Sequence, residues 1–159
     1  MTIASRQGVC VLGATGSIGQ SALDVLRRHP DRWRVEALGA NRDVAGMLAA
    51  CVEFRPRVVA MADTFAAAEL EDALRARGVM TEVLSGEKGM EAIAADAAST
   101  VVVAAIVGAA GLCSSLAAVR AGKRVLLANK EALVMSGALF MAEVAAHRAT
   151  LIPLDSEHN

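Results

Sequence analysis

The chain has 159 residues, close to the length of a single domain, and its formal net charge is −1. Hydrophobic residues make up 55% of it and aromatic residues only 3%, so the apolar content is mainly aliphatic. Lysine and arginine are scattered among the acidic residues, which provides no basic stripe for nucleic acid. The longest apolar run, residues 101–113, contains glycines and is shorter than the roughly 20 residues of a membrane span. We therefore expect a globular domain that binds neither nucleic acid nor a membrane.

Short β-branched and aliphatic runs alternate with helical segments along the whole chain. The predicted strands are Val9–Leu12, Arg34–Leu38, Val58–Met61, a weaker Glu82–Leu84, Val101–Ala104, Arg124–Leu127 and Thr150–Leu154. The predicted helices are Ser17–Arg28, Ala66–Arg77, Leu112–Ala121 and Ala132–His147. Strands that alternate with helices of this length form parallel units with right-handed crossovers. The sequence therefore predicts an α/β fold with a Rossmann-type, doubly wound and mostly parallel sheet, in a single domain over residues 1–159.

The first predicted strand runs directly into the glycine-rich loop GATGSIG, and a helix follows. In this setting Gly13 permits a tight turn, Gly16 lets a pyrophosphate approach the backbone, and Gly19 allows close helix packing. The N–H groups at the helix start attract phosphate, and the hydroxyls of Thr15 and Ser17 add donors. The alternative is a glycine-rich turn without a ligand. The strand–loop–helix context favours a dinucleotide site.

The tip of the second predicted strand bears on the choice of dinucleotide. NAD-binding folds usually place an acidic residue there to bind the ribose 2′-hydroxyl, but here Glu36 falls inside the strand and Ala40, Asn41 and Arg42 follow. A guanidinium at Arg42 favours a 2′-phosphate, and Asn41 can donate beside it. The alternative is that Arg42 is solvated and Asp43 caps the next helix. We expect NADP rather than NAD.

A polar cluster, Asn129, Lys130 and Glu131, follows the strand Arg124–Leu127. The carboxyl ends of parallel strands are where open α/β sheets bind ligands, and a lysine there can neutralise a substrate oxygen or phosphate. The alternative interpretation is a polar loop that caps the next helix.

Two carboxylates follow the last predicted strand. Asp155 and Glu157 are two residues apart, so in an extended chain they point the same way. Such a pair suits Mg²⁺ or Mn²⁺, although on its own it is more often a solvated loop. His158 by itself is more typical of a loop residue than of a ligand.

The cysteines and the amino terminus bear on the compartment. Cys10, Cys51 and Cys113 are odd in number and far apart, without metal-binding spacing. Residues 1–7 lack the apolar segment of a secretory signal. Reduced, buried thiols in a cytoplasmic protein are the expected state.

Taken together, four strings resemble the 1-deoxy-D-xylulose 5-phosphate reductoisomerase family, in the same order and at similar spacing. They are GATGSIG, AAIVGAAGL, LLANKEALV and PLDSEHN, and SGEKGMEAIA and LAAVRAGKR between them are also similar. The resemblance covers essentially the whole chain. It implies an NADPH-dependent enzyme that rearranges its ketose phosphate on a divalent metal and reduces the product to 2-C-methyl-D-erythritol 4-phosphate, in the non-mevalonate route to isoprenoid precursors.

The resemblance also implies roles for individual residues. The cofactor-binding set is Gly13, Thr15, Gly16, Ser17, Ile18, Gly19, Ala40, Asn41, Arg42, Asp43, Asn129 and Glu131. Lys130 would contact substrate near the nicotinamide, Ser156 would bind substrate, and Asp155 and Glu157 would hold Mn²⁺ or Mg²⁺, with Co²⁺ also possible. Lys130 and Glu157 are the expected catalytic residues. The partner would be a small sugar phosphate, and the full-length parent would be a homodimer.

The chain departs from the family pattern in two ways. The family commonly has Gly-Lys-Asn where this chain has Asn41-Arg42-Asp43, so a carboxylate replaces an amide beside the expected 2′-phosphate. The family's catalytic domain, lid loop and helical carboxyl-terminal domain, which carry a third metal carboxylate, do not follow PLDSEHN here. We therefore expect a fragment that binds cofactor and is inactive alone.

Three other functional classes compete with this interpretation. Short-chain reductases need a catalytic tyrosine, which is absent, and semialdehyde dehydrogenases need an activated cysteine, for which Cys113 at a helix start is the candidate. A dinucleotide-binding module without turnover is the third possibility.

Overall fold

Seven strands and six α-helices alternate through the residues that the computed structural model describes, 5–128 and 130–154, the side chains of Lys130 and Ala132 excepted. The elements in chain order are β1 Gln7–Leu12, α1 Ser17–Arg28, β2 Trp33–Ala40, α2 Val44–Phe54, β3 Val58–Met61, α3 Thr64–Ala76, β4 Glu82–Ser85, α4 Gly86–Ala95, β5 Val101–Ala104, α5 Leu112–Arg120, β6 Arg124–Leu127, α6 Lys130–Ala146 and β7 Thr150–Pro153. A short 3₁₀ turn, Ala109–Gly111, precedes α5.

The strands form one sheet in the order β4-β3-β2-β1-β5-β6-β7, and every pairing between them is parallel. The chain winds outward from β1 to β4, returns to β5 beside β1, and then winds outward the other way to β7. The order therefore reverses between β1 and β5, which makes the carboxyl ends of these two strands the expected ligand site. This confirms the predicted doubly wound fold.

Two apolar cores lie on opposite faces of the sheet, as a parallel sheet requires. The first contains side chains of α1, α2 and α3, such as Leu23, Met47 and Leu70. The second contains side chains of α4, α5 and α6, including Ile93 and Phe140. Because β1 and β5 are central, their side chains are buried against both layers.

The predicted strands and helices all occur, with ends that differ by a few residues. Two helices were not predicted as elements. Helix α2 was considered from the sequence only as the helix that Asp43 would cap in the alternative interpretation. Helix α4 contains two glycines, and glycine is a poor helix former. Both form because they bury side chains, Met47 and Cys51 in α2 and Met90 and Ile93 in α4.

Helix α6 differs from its prediction in two respects. It begins at Lys130 rather than Ala132, and its backbone is non-helical at Ser136, with φ −147° and ψ 38°. A serine–glycine pair, Ser136-Gly137, lies at this point, and such pairs are recognised sites of helix kinks. Beyond the kink, Phe140 is fully buried and attaches the helix to the sheet.

We expect Phe140→Ala to lower the free energy of unfolding by about 3–5 kcal/mol, because it leaves a cavity in a packed core. The matched control is Phe65→Ala on α3, where the ring is 86% exposed and the change should stay within about 0.5 kcal/mol. Denaturant unfolding of the two variants measures both. Equal losses would contradict the assignment of Phe140 as the anchor of α6.

Candidate functional site

A cleft of about 590 Å³ opens at the carboxyl ends of the central strands, where the strand order reverses. Its size is typical of a small-molecule or cofactor site. The residues that line it are Gly13, Thr15, Gly16, Ser17, Ile18, Ala40, Asn41, Ala62, Glu87, Met90, Ala105, Ile106, Val107, Ala110 and Ser114. The first seven of these are among the residues predicted from the sequence to bind cofactor.

The glycine loop turns sharply between β1 and α1. The N–H groups of Gly13 and Ala14 both donate to the carbonyl oxygen of Gly39 at 2.9 Å, which fastens the loop to the end of β2. The N–H of Gly16 donates to the carbonyl of Gly13 at 3.1 Å. The side chain of Gln20 donates to the carbonyl of Thr15 at 3.0 Å. These bonds hold the loop in one shape without using the N–H groups at the start of α1.

The fold itself requires two of the loop's three glycines. Gly13 has a φ of +82°, and a Cβ there would lie 2.7 Å from the carbonyl oxygen of Ala105. A Cβ on Gly19 would clash with the carbonyl oxygen of Gly13, so its absence lets α1 approach the loop. Both residues therefore have a structural reason to be glycine.

Gly16 has no such reason within the described chain. Its φ of −80° and ψ of 173° suit any residue, and a Cβ would find its nearest atom, the carbonyl oxygen of Gly13, at an ordinary 3.5 Å. Gly16 is exposed in the cleft at the amino-terminal end of α1. A glycine here leaves room for a ligand to approach the backbone, as a pyrophosphate does in dinucleotide folds. The cleft therefore fits a dinucleotide.

The start of α1 is suited to an anion. Asp43 and Asp63 are the N-caps of α2 and α3, and their carboxylates accept from the N–H groups of Gly46 and Ala66 at 2.9 Å. The N-cap of α1 is Gly16, which has no side chain to cap the helix, and the first turn of α1 contains no acidic residue. Its first N–H groups thus have no intrahelical partner and carry the positive end of the helix dipole.

Of the four predicted cofactor residues at the tip of β2, two line the cleft and two do not. Ala40 and Asn41 line the cleft, whereas Arg42 and Asp43 are exposed beside it and are not among its lining residues. The Asp43 carboxylate caps α2, which is the alternative role considered from the sequence. Asp43 thus has a structural task, and its predicted role in cofactor binding stays a prediction.

Of the remaining predicted residues, two belong to the start of α6. Glu131 is exposed in the first turn of α6, and the backbone of Lys130 begins that helix. Asn129, Asp155, Ser156 and Glu157 lie outside the described residues. Their predicted roles in binding cofactor, substrate and metal remain predictions.

Sequence reasoning missed the opposite wall of the cleft. Ala105, Ile106 and Val107 follow β5, Ala110 and Ser114 follow these, and Glu87 and Met90 come from α4. The strings AAIVGAAGL and SGEKGMEAIA, already noted for their resemblance, contain these residues except Ser114. Apolar residues carry no chemical signature, so only their place after a central strand could have indicated the site.

Cys113 lies near the start of α5 and is exposed, so the prediction of a buried thiol is wrong there, whereas Cys10 and Cys51 are buried. An activated thiol at Cys113 would support a semialdehyde dehydrogenase. Its hydrogen bond to Glu87 raises the pKa of the thiol, with burial and the negative charges of Glu87 and Glu91 acting in the same direction. A nucleophilic cysteine needs the opposite shift. The neighbouring carboxylates thus do not favour a nucleophilic role for Cys113.

The family model for 1-deoxy-D-xylulose 5-phosphate reductoisomerase matches residues 9–137. The reductoisomerase of Cupriavidus metallidurans is 64% identical over 153 residues, which cover 96% of this chain and 39% of that relative. The reductoisomerase of Pseudomonas fluorescens is 58% identical over 153 residues, with coverage of 96% and 39%. The chain therefore spans about two fifths of the length of these curated relatives.

Solved structures of the same family are similar over nearly the whole chain. A DOX-P reductoisomerase in complex with NADPH, fosmidomycin and magnesium has a TM-score of 0.92 and 49% identity, covering 96% of this chain and 37% of that one. The Zymomonas mobilis enzyme in complex with NADPH has a TM-score of 0.91 and 43% identity, covering 97% and 40%. A biliverdin reductase, at 17% identity and a TM-score of 0.53, shares the fold alone.

None of the helices in residues 5–128 and 130–154 combines the length and hydropathy needed to span a membrane.

We expect Glu87→Gln to speed alkylation of Cys113 by iodoacetamide at neutral pH by about two- to tenfold, because the thiolate is the reacting form and its pKa should fall. Glu69→Gln on the exposed side of α3 is the control. Cys10 and Cys51 should stay unreactive, since both are buried and burial raises the pKa of Cys51 to about 12. An unchanged or slower rate at Cys113 would contradict this account of the thiol.

Proposed function

Because this chain belongs to the 1-deoxy-D-xylulose 5-phosphate reductoisomerase family, we propose that it is the NADPH-binding part of such an enzyme. The parent enzyme would convert 1-deoxy-D-xylulose 5-phosphate to 2-C-methyl-D-erythritol 4-phosphate. The observation that carries the proposal is Gly16, a cleft glycine for which the fold has no need. A cofactor pyrophosphate that approaches the backbone there explains it.

The proposed cofactor site uses the start of α1 and the tip of β2. The N–H groups of Ser17 and Ile18 would bind the pyrophosphate, and the hydroxyls of Thr15 and Ser17 would add donors. Ala40, Asn41 and Arg42 would border the adenosine ribose and its 2′-phosphate. Bound NADPH would supply a hydride for reduction of the rearranged substrate.

The apolar wall has a separate task in this proposal. Met90 and Ile106, which belong to the core of α4, α5 and α6, cover one side of the cleft, and Ala105 lines it beside them. Apolar side chains there would exclude water from the cofactor and hold its flat rings by contact. The described chain thus supplies binding and orientation.

Substrate and metal chemistry would come from residues after β6 and β7. Lys130 and Ser156 would contact the sugar phosphate, and Asp155 and Glu157 would hold Mn²⁺ or Mg²⁺. Asn129 and Glu131 would lie along the cofactor. A carboxylate pair matches the oxygen ligands that these hard cations prefer. We also propose that the parent enzyme is a cytoplasmic homodimer.

A dinucleotide-binding module without turnover is the alternative, because the chain spans about two fifths of its relatives. Calorimetric titration with NADPH tests binding, and NADPH oxidation in the presence of Mn²⁺ and the ketose phosphate tests turnover. We expect binding without turnover from these 159 residues. Failure to bind NADPH would contradict the proposal, and turnover would show that the site is more complete than proposed.

We expect Gly16→Val to abolish NADPH binding, because a branched side chain would occupy the space where the pyrophosphate approaches. The backbone of Gly16 accepts any residue, so the free energy of unfolding should change by less than about 1 kcal/mol. Gly137→Val in α6, where a Cβ meets nothing within 4 Å, is the matched control. Retained NADPH affinity in a folded Gly16→Val variant would refute the pyrophosphate assignment.

We expect NADPH to bind more tightly than NADH by about 1.5–3 kcal/mol, the range of a charge-assisted hydrogen bond, and Arg42→Ala to remove the difference. Arg32→Ala, just before the opposite end of β2, is the control for a general loss of charge. Asp43→Asn keeps an oxygen to cap α2 and removes a negative charge, so it should strengthen NADPH binding. Calorimetric titration with NADPH and NADH measures these affinities. Equal affinities for the two cofactors in the unsubstituted chain would disprove the role of Arg42.

A further inference from the structure

Another concave site lies at the edge of the sheet opposite the cleft. The carboxyl ends of α1 and α2 meet the start of β2 there, around a pocket of about 450 Å³. The eight residues of β2 run from this pocket to the cleft and separate the two by roughly 25 Å, at about 3.3 Å per residue. We call it the arginine pocket, after the charged residues in its lining, Arg6, Arg27, Arg34 and Arg55.

These four arginines come from four separate segments of the chain. Arg6 precedes β1, Arg27 lies in the last turn of α1, Arg34 belongs to β2, and Arg55 follows α2. They are therefore scattered in the sequence and come together only in the folded sheet. Within the described chain, Glu53 is the only acidic residue that lines the pocket. The arginine pocket is thus strongly positive.

Two of the arginines are paired with carboxylates. The side chain of Arg27 donates to the carboxylate of Glu53, with Nη2 at 2.9 Å from Oε1. Nε of Arg34 lies 3.2 Å from the carboxylate of Glu36. These pairs fix the two side chains, and because Glu36 is outside the lining, the charge of Arg34 remains available to a ligand.

The other two arginines, Arg6 and Arg55, form no ion pair with the residues that the structure describes. Each donates to one backbone carbonyl, Arg6 to that of Pro30 at 3.4 Å and Arg55 to that of Val52 at 3.2 Å. A guanidinium has five N–H groups, so most of their donors are left for another acceptor. Planar donor sets of this kind match the oxygens of a phosphate.

The backbone of Arg55 is an independent sign of function. It is left-handed, with φ 51° and ψ 52°, at a helix end where glycine is the favoured residue. A side chain kept at a strained backbone position is a recognised sign of a functional site. The alternative is that Arg55 only interacts with the last carbonyls of α2, as cations do at helix ends. Arg148, with φ 56° after α6, has the same charge and backbone conformation and allows the two to be separated.

Aromatic side chains form part of the same wall. Trp33 and Phe54 line the pocket, and both are half-buried. The guanidinium of Arg27 lies 5.4 Å from the centre of the Phe54 ring. Trp33 offers a flat surface of the kind on which a ligand ring stacks. The volume of the pocket is in the range of small-molecule sites.

We propose that the arginine pocket binds a small polyphosphate anion that carries an aromatic ring, the chemistry of a nucleoside triphosphate. Arg6 and Arg55 bind the phosphate oxygens, Arg34 adds positive charge, and Trp33 contacts the ring. This inference goes beyond the proposed function, because the pocket lies at the opposite edge of the sheet from the cleft and does not depend on what the cleft binds.

Trp33 is the only tryptophan of the chain, so its fluorescence reports on this pocket. We expect ATP to change the emission of the 159-residue chain saturably at low salt, with half-saturation below about 1 mM. Tripolyphosphate, which lacks the ring, and adenosine, which lacks the charge, should each bind at least about fivefold more weakly. Gly16→Val, which blocks the cleft, should leave the response to ATP unchanged.

Arg55→Gly removes the guanidinium and suits the left-handed backbone. It should weaken ATP binding at least about fivefold without lowering the melting temperature. Arg148→Gly is the matched control and should leave ATP affinity unchanged. Arg6→Ala should also weaken ATP binding. The affinity of the cleft for NADPH should stay the same in all three variants, which separates this proposal from the proposed function.

Four results would overturn the proposal. The first is a chain whose Trp33 emission does not respond to ATP. The second is an Arg55→Gly variant that keeps its ATP affinity, which would leave Arg55 with a structural role at the end of α2. The third is tripolyphosphate that binds as tightly as ATP, which would exclude the ring. The fourth is a response that Gly16→Val abolishes, which would assign ATP to the cleft.

Discussion

The first turn of α1 lies directly against the loop that leaves β1, and most of the candidate site depends on this contact. It is possible because Gly19 lacks a Cβ, which would otherwise clash with the carbonyl of Gly13. Gly13 in turn adopts a positive φ and lies close to the backbone of Ala105, which directly follows β5. The amino-terminal end of α1 is thereby directed at the point between β1 and β5 where the strand order reverses.

This packing creates a candidate anion site that does not need a basic side chain. The N–H groups at the start of α1 are fixed by the backbone and carry a partial positive charge, so they cost no reorganisation when a phosphate binds. The neighbouring helices α2 and α3 use aspartate caps at the same edge of the sheet. The cleft thus combines one open helix start with apolar walls, an arrangement that suits a ligand with phosphates and flat rings.

Much of this was predictable from residue patterns, because strand–helix alternation and the glycine loop are local signals. The helices α2 and α4 were harder to predict, since Gly46, Gly86 and Gly89 weaken helix propensity and only tertiary packing compensates. The wall formed by Met90 and Ile106 comes from distant segments that only the folded sheet brings together. The kink at Ser136 likewise depends on tertiary structure.

The central claim is that a dinucleotide pyrophosphate binds the start of α1. A titration of the ¹⁵N-labelled chain with NADPH, followed by amide chemical shifts, tests it most directly. We predict the largest chemical-shift changes at the amides of Gly16, Ser17 and Ile18. The amide of Arg32, which directly precedes β2 at the opposite end of the sheet, should shift little. Shifts that spare this turn and cluster elsewhere would contradict the account.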